Sequence, residues 1–250
     1  MKRIPIGLEL YSVHQDFARD PAGTLQAVKA MGYEGVEFAG PPALSGPALR
    51  RLLDENGLVC CGWHTPWARV QPDKLADTIR LNQAVGNKYI IIPWLKAESH
   101  QDWLTKAAEM NALADKLAPY GFRCGYHNHA HEFQLLDGKA PWDSYMGNTY
   151  KRVVMQLDTG NALSGGADIM GTLNKYPGRC QTIHLKPFSK DPDKRFKPII
   201  GDDDCPWQDI FAFCQDKGDT EWYIIEYECP EIPALEAVEK CLKAAQALRG

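Results

Sequence analysis

What this sequence lacks narrows its function before any motif is found. No window supplies the roughly 20 consecutive apolar residues of a membrane span. The opening MKRIPIGLEL carries two basic residues but no small-residue cleavage site, so it does not read as a secretion signal, and a cytoplasmic enzyme is expected. Basic residues form no dense run and the net charge is −4, which leaves no electrostatic footprint for nucleic acid. No G-x-G-x-x-G follows the first strand-like segment, which argues against a dinucleotide-binding open sheet. Cysteine is present but never at zinc-finger spacing. Cys60, Cys61, Cys124, Cys180, Cys214 and Cys241 lie within strand-like or helix-like segments, as reduced, buried small hydrophobes do.

What is there is a regular alternation. IPIGLELYSV reads as a strand, and Asp20 and Pro21 then supply the cap and first-turn proline of a helix ending near Gly32. GVEFA is followed by a helix opened by Ser45 and Pro47 and closed by Gly57. LVCCGWH precedes a helix from about Pro72 to Val85, and KYIIIPW one from Ser99 to Leu117. FRCGYHNH has a weaker partner near Trp142 to Met146. VVMQLDTG, QTIHLKP and EWYIIEYE are followed by helical segments at Asp168 to Tyr176, Trp207 to Lys217 and Ile232 to Leu248. Nearly continuous apolar strands separated by helices imply a parallel sheet covered by those helices, and eight such units predict closure into a single-domain (β/α)8 TIM barrel over residues 1–250.

Active sites of such barrels lie at the C-terminal ends of the strands, and polar residues gather there. Glu9 lies in the first strand, Glu37 near the end of the second, His64 at the end of the third, and Tyr126 to Glu132 at the fifth. Asp158 ends the sixth, His184 and Lys186 the seventh, and Glu226 and Glu228 the eighth. Five of the seven histidines fall at these ends, beside carboxylates. A mixed imidazole and carboxylate set suits a divalent ion, Mn²⁺ first, with Zn²⁺, Mg²⁺, Co²⁺ or Fe²⁺ also compatible. Each residue has a plainer reading as well: Asp158, before Thr159 and Gly160, could form a turn or cap a helix, and Glu226 could pair with Lys186. Burying the whole set without a cation would carry a heavy desolvation cost, and that favours metal.

At these residues the sequence resembles the xylose isomerase-like barrel superfamily, the sugar phosphate isomerase/epimerase group. The resemblance is carried by GLELYSV, GYHNHAHEF, MQLDTGNAL, TIHLKP and IIEYE, in that order. It implies one divalent ion held by Asp158, His184 and Glu226. His127 is the expected fourth ligand, standing where sugar-interconverting members place a glutamate, with Glu132 and His129 as rivals. It further implies substrate contacts from His64 and Lys186. Strand-end position makes Glu9 and Trp94 further substrate-binding candidates, and closeness to the ion makes Glu132, His129 and Glu226, with His131 nearby, the candidate acids and bases. Asn161 and Pro93 replace histidines that a trinuclear DNA-cleaving relative would need.

The chemistry implied is proton abstraction alpha to a carbonyl, with a cation stabilising the enediolate. Returning the proton isomerises or epimerises a small keto-sugar or polyol-derived substrate. Expelling a beta substituent gives dehydration or keto-glycoside cleavage. A non-catalytic sugar-binding subunit is the alternative of another class. The loop from Pro187 to Pro206 reads either as a lid or as a solvated surface loop. Trp63, Trp67, Trp94 and Trp142 are candidate walls for a sugar ring. A homo-oligomer stays open.

Overall fold

A computed structural model describes residues 3–42 and 44–249, so the two ends of the 1–250 span lie outside the described residues. Strand Ile6–Glu9 (β1) leads into helices His14–Arg19 (α1) and Pro21–Met31 (α2). Gly35–Ala39 (β2) is followed by Gly46–Asn56 (α3), Val59–His64 (β3) by Leu75–Val85 (α4), and Tyr89–Ile92 (β4) by His100–Leu117 (α5). Arg123–His127 (β5) and Pro141–Met146 (α6) precede Val154–Gln156 (β6), Thr159–Ser164 (α7) and Ile169–Lys175 (α8). Thr182–Leu185 (β7), Trp207–Asp216 (α9), Trp222–Ile225 (β8) and Ala234–Arg249 (α10) complete the chain.

All eight strands join one parallel sheet in the order β6-β5-β4-β3-β2-β1-β8-β7. The two outer strands meet through a parallel bridge between Asp158 and His184 and the bond from His184 N to Leu157 O (2.9 Å). This (β/α)8 barrel therefore has a seam of few bonds between β6 and β7, and two candidate ligands sit on it.

Local chemistry explains most boundaries. The Asp20 side chain accepts from Gly23 N, the Ser45 hydroxyl from Ala48 N, and Ser99 and Asp102 form a reciprocal capping box. Gly57 ends α3 at φ 59°, where a side chain would be strained. Two predicted features differ. The first strand stops at Glu9 because its neighbours pair no further than Glu37 and Ile225, and Leu10–Val13 turns at once into a 3-10 helix. Helices α1 and α7, each of six residues, directly continue the segments that follow β1 and β6 and have no counterpart in the predicted strand-helix alternation.

The main core lies between strands and helices, while a small apolar plug of Tyr89, Ile91 and Val154, with Trp222 against it, fills the barrel near the strand starts. Above that plug the interior is polar. Strand residues alternate inward and outward, so Gln156 and Asp158, like His184 and Lys186, point to one face two residues apart. No described helix is long and apolar enough to cross a membrane.

Candidate active site

Four residues predicted as ligands come together. Atoms of His127, Asp158, His184 and Glu226 all lie within 4.8 Å of one another, and all four residues are buried. Asp158 Oδ2 stands 3.9 Å from both His127 Nε2 and His184 Nδ1, and His184 Nδ1 is 2.6 Å from Glu226 Oε2. The two readings of Asp158 fall to its two oxygens: Oδ1 accepts from Asn161 N (2.7 Å) and caps α7, whereas Oδ2 is buried with no hydrogen-bond partner. His127 Nδ1 is likewise buried and unpartnered. A bare carboxylate oxygen, Asp158 Oδ2, within a buried two-imidazole, two-carboxylate group is what a divalent cation would satisfy, so the residues fit one.

Electrostatics follow from this crowding. Burial pushes Asp158 well above the usual carboxylate range; Lys186 opposes that shift and Glu226 adds to it. Burial alone would raise Glu226, but Lys186 and His184 hold it well below the usual value. Burial would lower His184, yet its bonds to Glu226 and Glu37 raise it to about 10. Burial and the neighbouring His184 and His64 drive His127 well down, leaving a neutral ring.

A supporting network lies beneath. His184 Nε2 is 2.6 Å from Glu37 Oε2, so the imidazole is gripped by carboxylates at both nitrogens. Gln156 Nε2 donates to both Glu37 oxygens (3.0 and 3.2 Å) and to Thr182 Oγ1 (3.0 Å), while its Oε1 lies 2.7 Å from His64 Nε2. Gly62 makes room for Glu37, since a Cβ there would fall 2.0 Å from Glu37 Oε1. Strand-end position alone assigns Glu37 no role, and no motif singles out Gln156. The signal for Gln156 was its place two residues before Asp158 on one strand face.

Over the group opens a cavity of about 310 Å³ lined by Glu9, His64, Trp94, His127, His129 and Glu226 among others. Both oxygens of Glu9 are buried without a hydrogen bond, and burial with the charges of Glu37 and Glu226 pushes its carboxyl well up. His129 is pushed down to about 4 by burial, against the pull of Glu226. Lys186 is not among the lining residues; it is buried and bonds Glu226 Oε1 (3.1 Å) and Glu228 Oε2 (2.5 Å).

Glu132 is not brought to the group or to the cavity lining. It is buried on the helix side of β5, with Oε1 accepting from the Tyr126 hydroxyl (2.5 Å) and Oε2 from His129 N (2.9 Å). Burial pushes its carboxyl from 4.5 to about 7. Between those two pH values the folded chain keeps a proton that the unfolded chain releases, so this residue makes stability fall as pH rises, by an order of 3 kcal/mol in all. Denaturant unfolding at pH 5 and pH 8 should show a loss that Glu132→Gln reduces by about 2 kcal/mol or more; an equal loss in both proteins would exclude this source.

Of the four tryptophans, Trp94 alone lines the cavity, 52% exposed and edge-on to His129 at 4.8 Å. Trp63 and Trp142 are buried in the main core and Trp67 packs against it. The segment from Pro187 to Pro206 contributes nothing to the cavity lining. It is tied down by Asp204 to Ser189 Oγ and Lys190 N, and by Tyr227 Oη to Lys197 O (2.7 Å). The described cysteines are all free, and all but the partly exposed Cys229 are buried.

Fold and site together define a class, a (β/α)8 barrel whose C-terminal mouth buries a His, Asp and Glu cluster that could hold a metal ion. Within that class the chain belongs to the xylose isomerase-like TIM barrel family, whose model matches residues 25–249. It is similar to an inosose dehydratase of Clostridium perfringens, 24% identical over 168 residues, covering 60% of this chain; the chain spans about half, 55%, of that relative's length. Its fold is similar to that of a sugar phosphate isomerase/epimerase from Parabacteroides distasonis, with a TM-score of 0.82, 22% identity and coverage of 100% and 95% of the two chains. It is also similar to the IolI protein with a bound zinc atom, with a TM-score of 0.76, 12% identity and 98% of both chains covered. The family includes sugar-processing enzymes, isomerases, epimerases and dehydratases among them.

Proposed function

We propose that this protein is a divalent-metal-dependent isomerase or epimerase of a small keto-sugar or polyol-derived substrate. The observation that carries the reading is the convergence of His127, Asp158, His184 and Glu226 around the bare Asp158 Oδ2, directly beneath the cavity. These four residues would hold the ion, with Mn²⁺ expected first for two carboxylates and two imidazoles. When bound, the cation supplies Lewis-acid stabilisation of the negative charge that develops on adjacent substrate oxygens as an enediolate forms.

The chain's own groups do the rest. His129, neutral at pH 7 and with Nδ1 unpartnered, faces the cavity as a proton acceptor. Glu226 lines the same cavity, so an imidazole and a carboxylate are both available there to take and return a proton. Glu9, on the first strand, lies across the barrel from the fifth, and its unpaired oxygens bind substrate hydroxyls. His64 lines the cavity and is held by Gln156. Lys186 acts on substrate only through Glu226 and Glu228, and Glu132 anchors the loop that carries His129.

Elimination is the second reading, favoured by one observation: with His127 at the fifth strand, Glu226 is the one carboxylate of the four-residue group that also lines the cavity. One base and a departing group suffice for dehydration or keto-glycoside cleavage. The test is solvent exchange. Metal-stripped protein, with and without Mn²⁺ or Zn²⁺, is incubated in D2O with ketoses, inososes and 3-keto-glycosides and followed by NMR. Metal-dependent deuterium uptake at the alpha carbon is expected, and loss of a beta substituent marks elimination. Sugar binding without exchange in any metal form would leave a binding subunit and overturn the enzyme reading.

A further inference from the structure

The geometry points to a second binding subsite at the barrel mouth, so that the substrate is a neutral glycoside whose second ring or aglycone stacks on Tyr11. This rests on the carbohydrate reading above, in its keto-glycoside form, and names the substrate class for it. The cavity over the candidate metal group is about 310 Å³, at the low end for a small-molecule site. Beside it lies a second cavity of about 640 Å³, between the segment that follows β1 and the one that follows β8, and the two share Tyr11 and Glu228 in their walls. A free monosaccharide would use only the inner one.

Tyr11 is built as a platform. It is 49% exposed, which leaves a large aromatic surface in water unless a ligand covers it. His14 stacks on its ring at 4.9 Å and 17°, and His14 Nδ1 is 2.7 Å from the Tyr11 carbonyl, so the ring is backed and held. Other aromatics at the mouth, Trp63 and Tyr227, are buried, so Tyr11 and Trp94 are the two exposed rings that wall the inner cavity.

Charge decides between a neutral ring and a phosphate. No lysine or arginine lines the inner cavity. The outer one has Arg19, already paired with Asp16 at 2.5 Å, together with Glu228. In the outer cavity a phosphate dianion would meet one guanidinium, already ion-paired, against the carboxylates of Asp16 and Glu228, whereas hydroxyls and an apolar face match the imidazole, carboxylates and prolines present.

Calorimetry on the full, Mn²⁺-loaded chain with 3-keto-glucose and 3-keto-galactose, their phenyl β-glycosides and their 6-phosphates tests this. For at least one sugar the phenyl glycoside should bind about tenfold more tightly than the free keto-sugar. The ratio should fall to near one in Tyr11→Ala, a change at an exposed side chain, and in Ala234→Trp, which fills the outer cavity. Equal affinity for keto-sugar and glycoside, a 6-phosphate that binds tightest, or an unchanged ratio in Tyr11→Ala would overturn the subsite and leave the carbohydrate reading standing. Absence of binding by every sugar would overturn the carbohydrate reading and the subsite with it.

Discussion

Glu226→Gln and His184→Ala are each expected to purify without bound metal and without measurable turnover. Glu226 touches His184 Nδ1 through one oxygen (2.6 Å) and Lys186 Nζ through the other (3.1 Å). Glutamine keeps the volume but removes the charge that a cation and the buried ammonium both need. The loss in metal affinity should exceed the roughly 10- to 100-fold that follows removal of a residue merely supporting a ligand. His184→Ala takes away an imidazole and also strands two buried carboxylates, Glu37 and Glu226, so a stability loss of about 3 kcal/mol or more accompanies it. Glu226→Gln is the cleaner of the two. Metal content by atomic emission, exchange in D2O and thermal unfolding check both, and full activity in either purified variant would remove the metal hypothesis.

The second large effect is expected at Glu37, which lines no part of the cavity over the candidate metal group. Glu37→Gln should weaken metal binding by roughly 10- to 100-fold, with activity partly recovered at saturating Mn²⁺. The reason lies in donor and acceptor directions. Gln156 Oε1 is engaged by His64, so its amide nitrogen must donate to Glu37 and Thr182. Glu37 then accepts from His184 Nε2–H, so Nδ1, which faces Glu226 Oε2 at 2.6 Å, is the nitrogen that would give up its proton and turn its lone pair to a cation. A glutamine at 37 sets an NH2 group against either the Gln156 amide or His184 Nε2–H, and the chosen tautomer loses its support. The absorption bands of the Co²⁺-loaded variant should shift with the changed ligand field. Unchanged affinity and unchanged bands would show that Glu37 is only a packing residue.

Fold and site differ in how much of each could be read from residue order. The eight strand-helix units, most of their caps and the placing of Asp158, His184 and Glu226 at strand ends were legible because period, capping and pleat parity act over a few residues. Glu132 was not. It lies five residues beyond the inward-facing His127, after the strand has ended, where parity no longer says which way a side chain turns, and the Tyr126 hydroxyl and His129 N–H draw it to the helix side. The tryptophans failed for a related reason: adjacency to a strand end does not distinguish the inside of the barrel from its outer layer, where Trp63 and Trp142 pack. Lys186 has the right parity but is drawn to Glu226 and Glu228, two carboxylates from another strand, and so does not line the cavity.

By itself, then, the sequence determined the alternation of elements, the barrel they close into and the inventory of imidazoles and carboxylates at its mouth. The tertiary structure alone decided which of these converge, that Glu37 and Gln156 stand under His184, that the two oxygens of Asp158 divide a cap from an open acceptor, and that a second cavity adjoins the first at Tyr11. Those outcomes depend on closing β6 onto β7 and on contacts between strands far apart in the chain, and the spacing of residues along one strand contains no information about which partner arrives from the next.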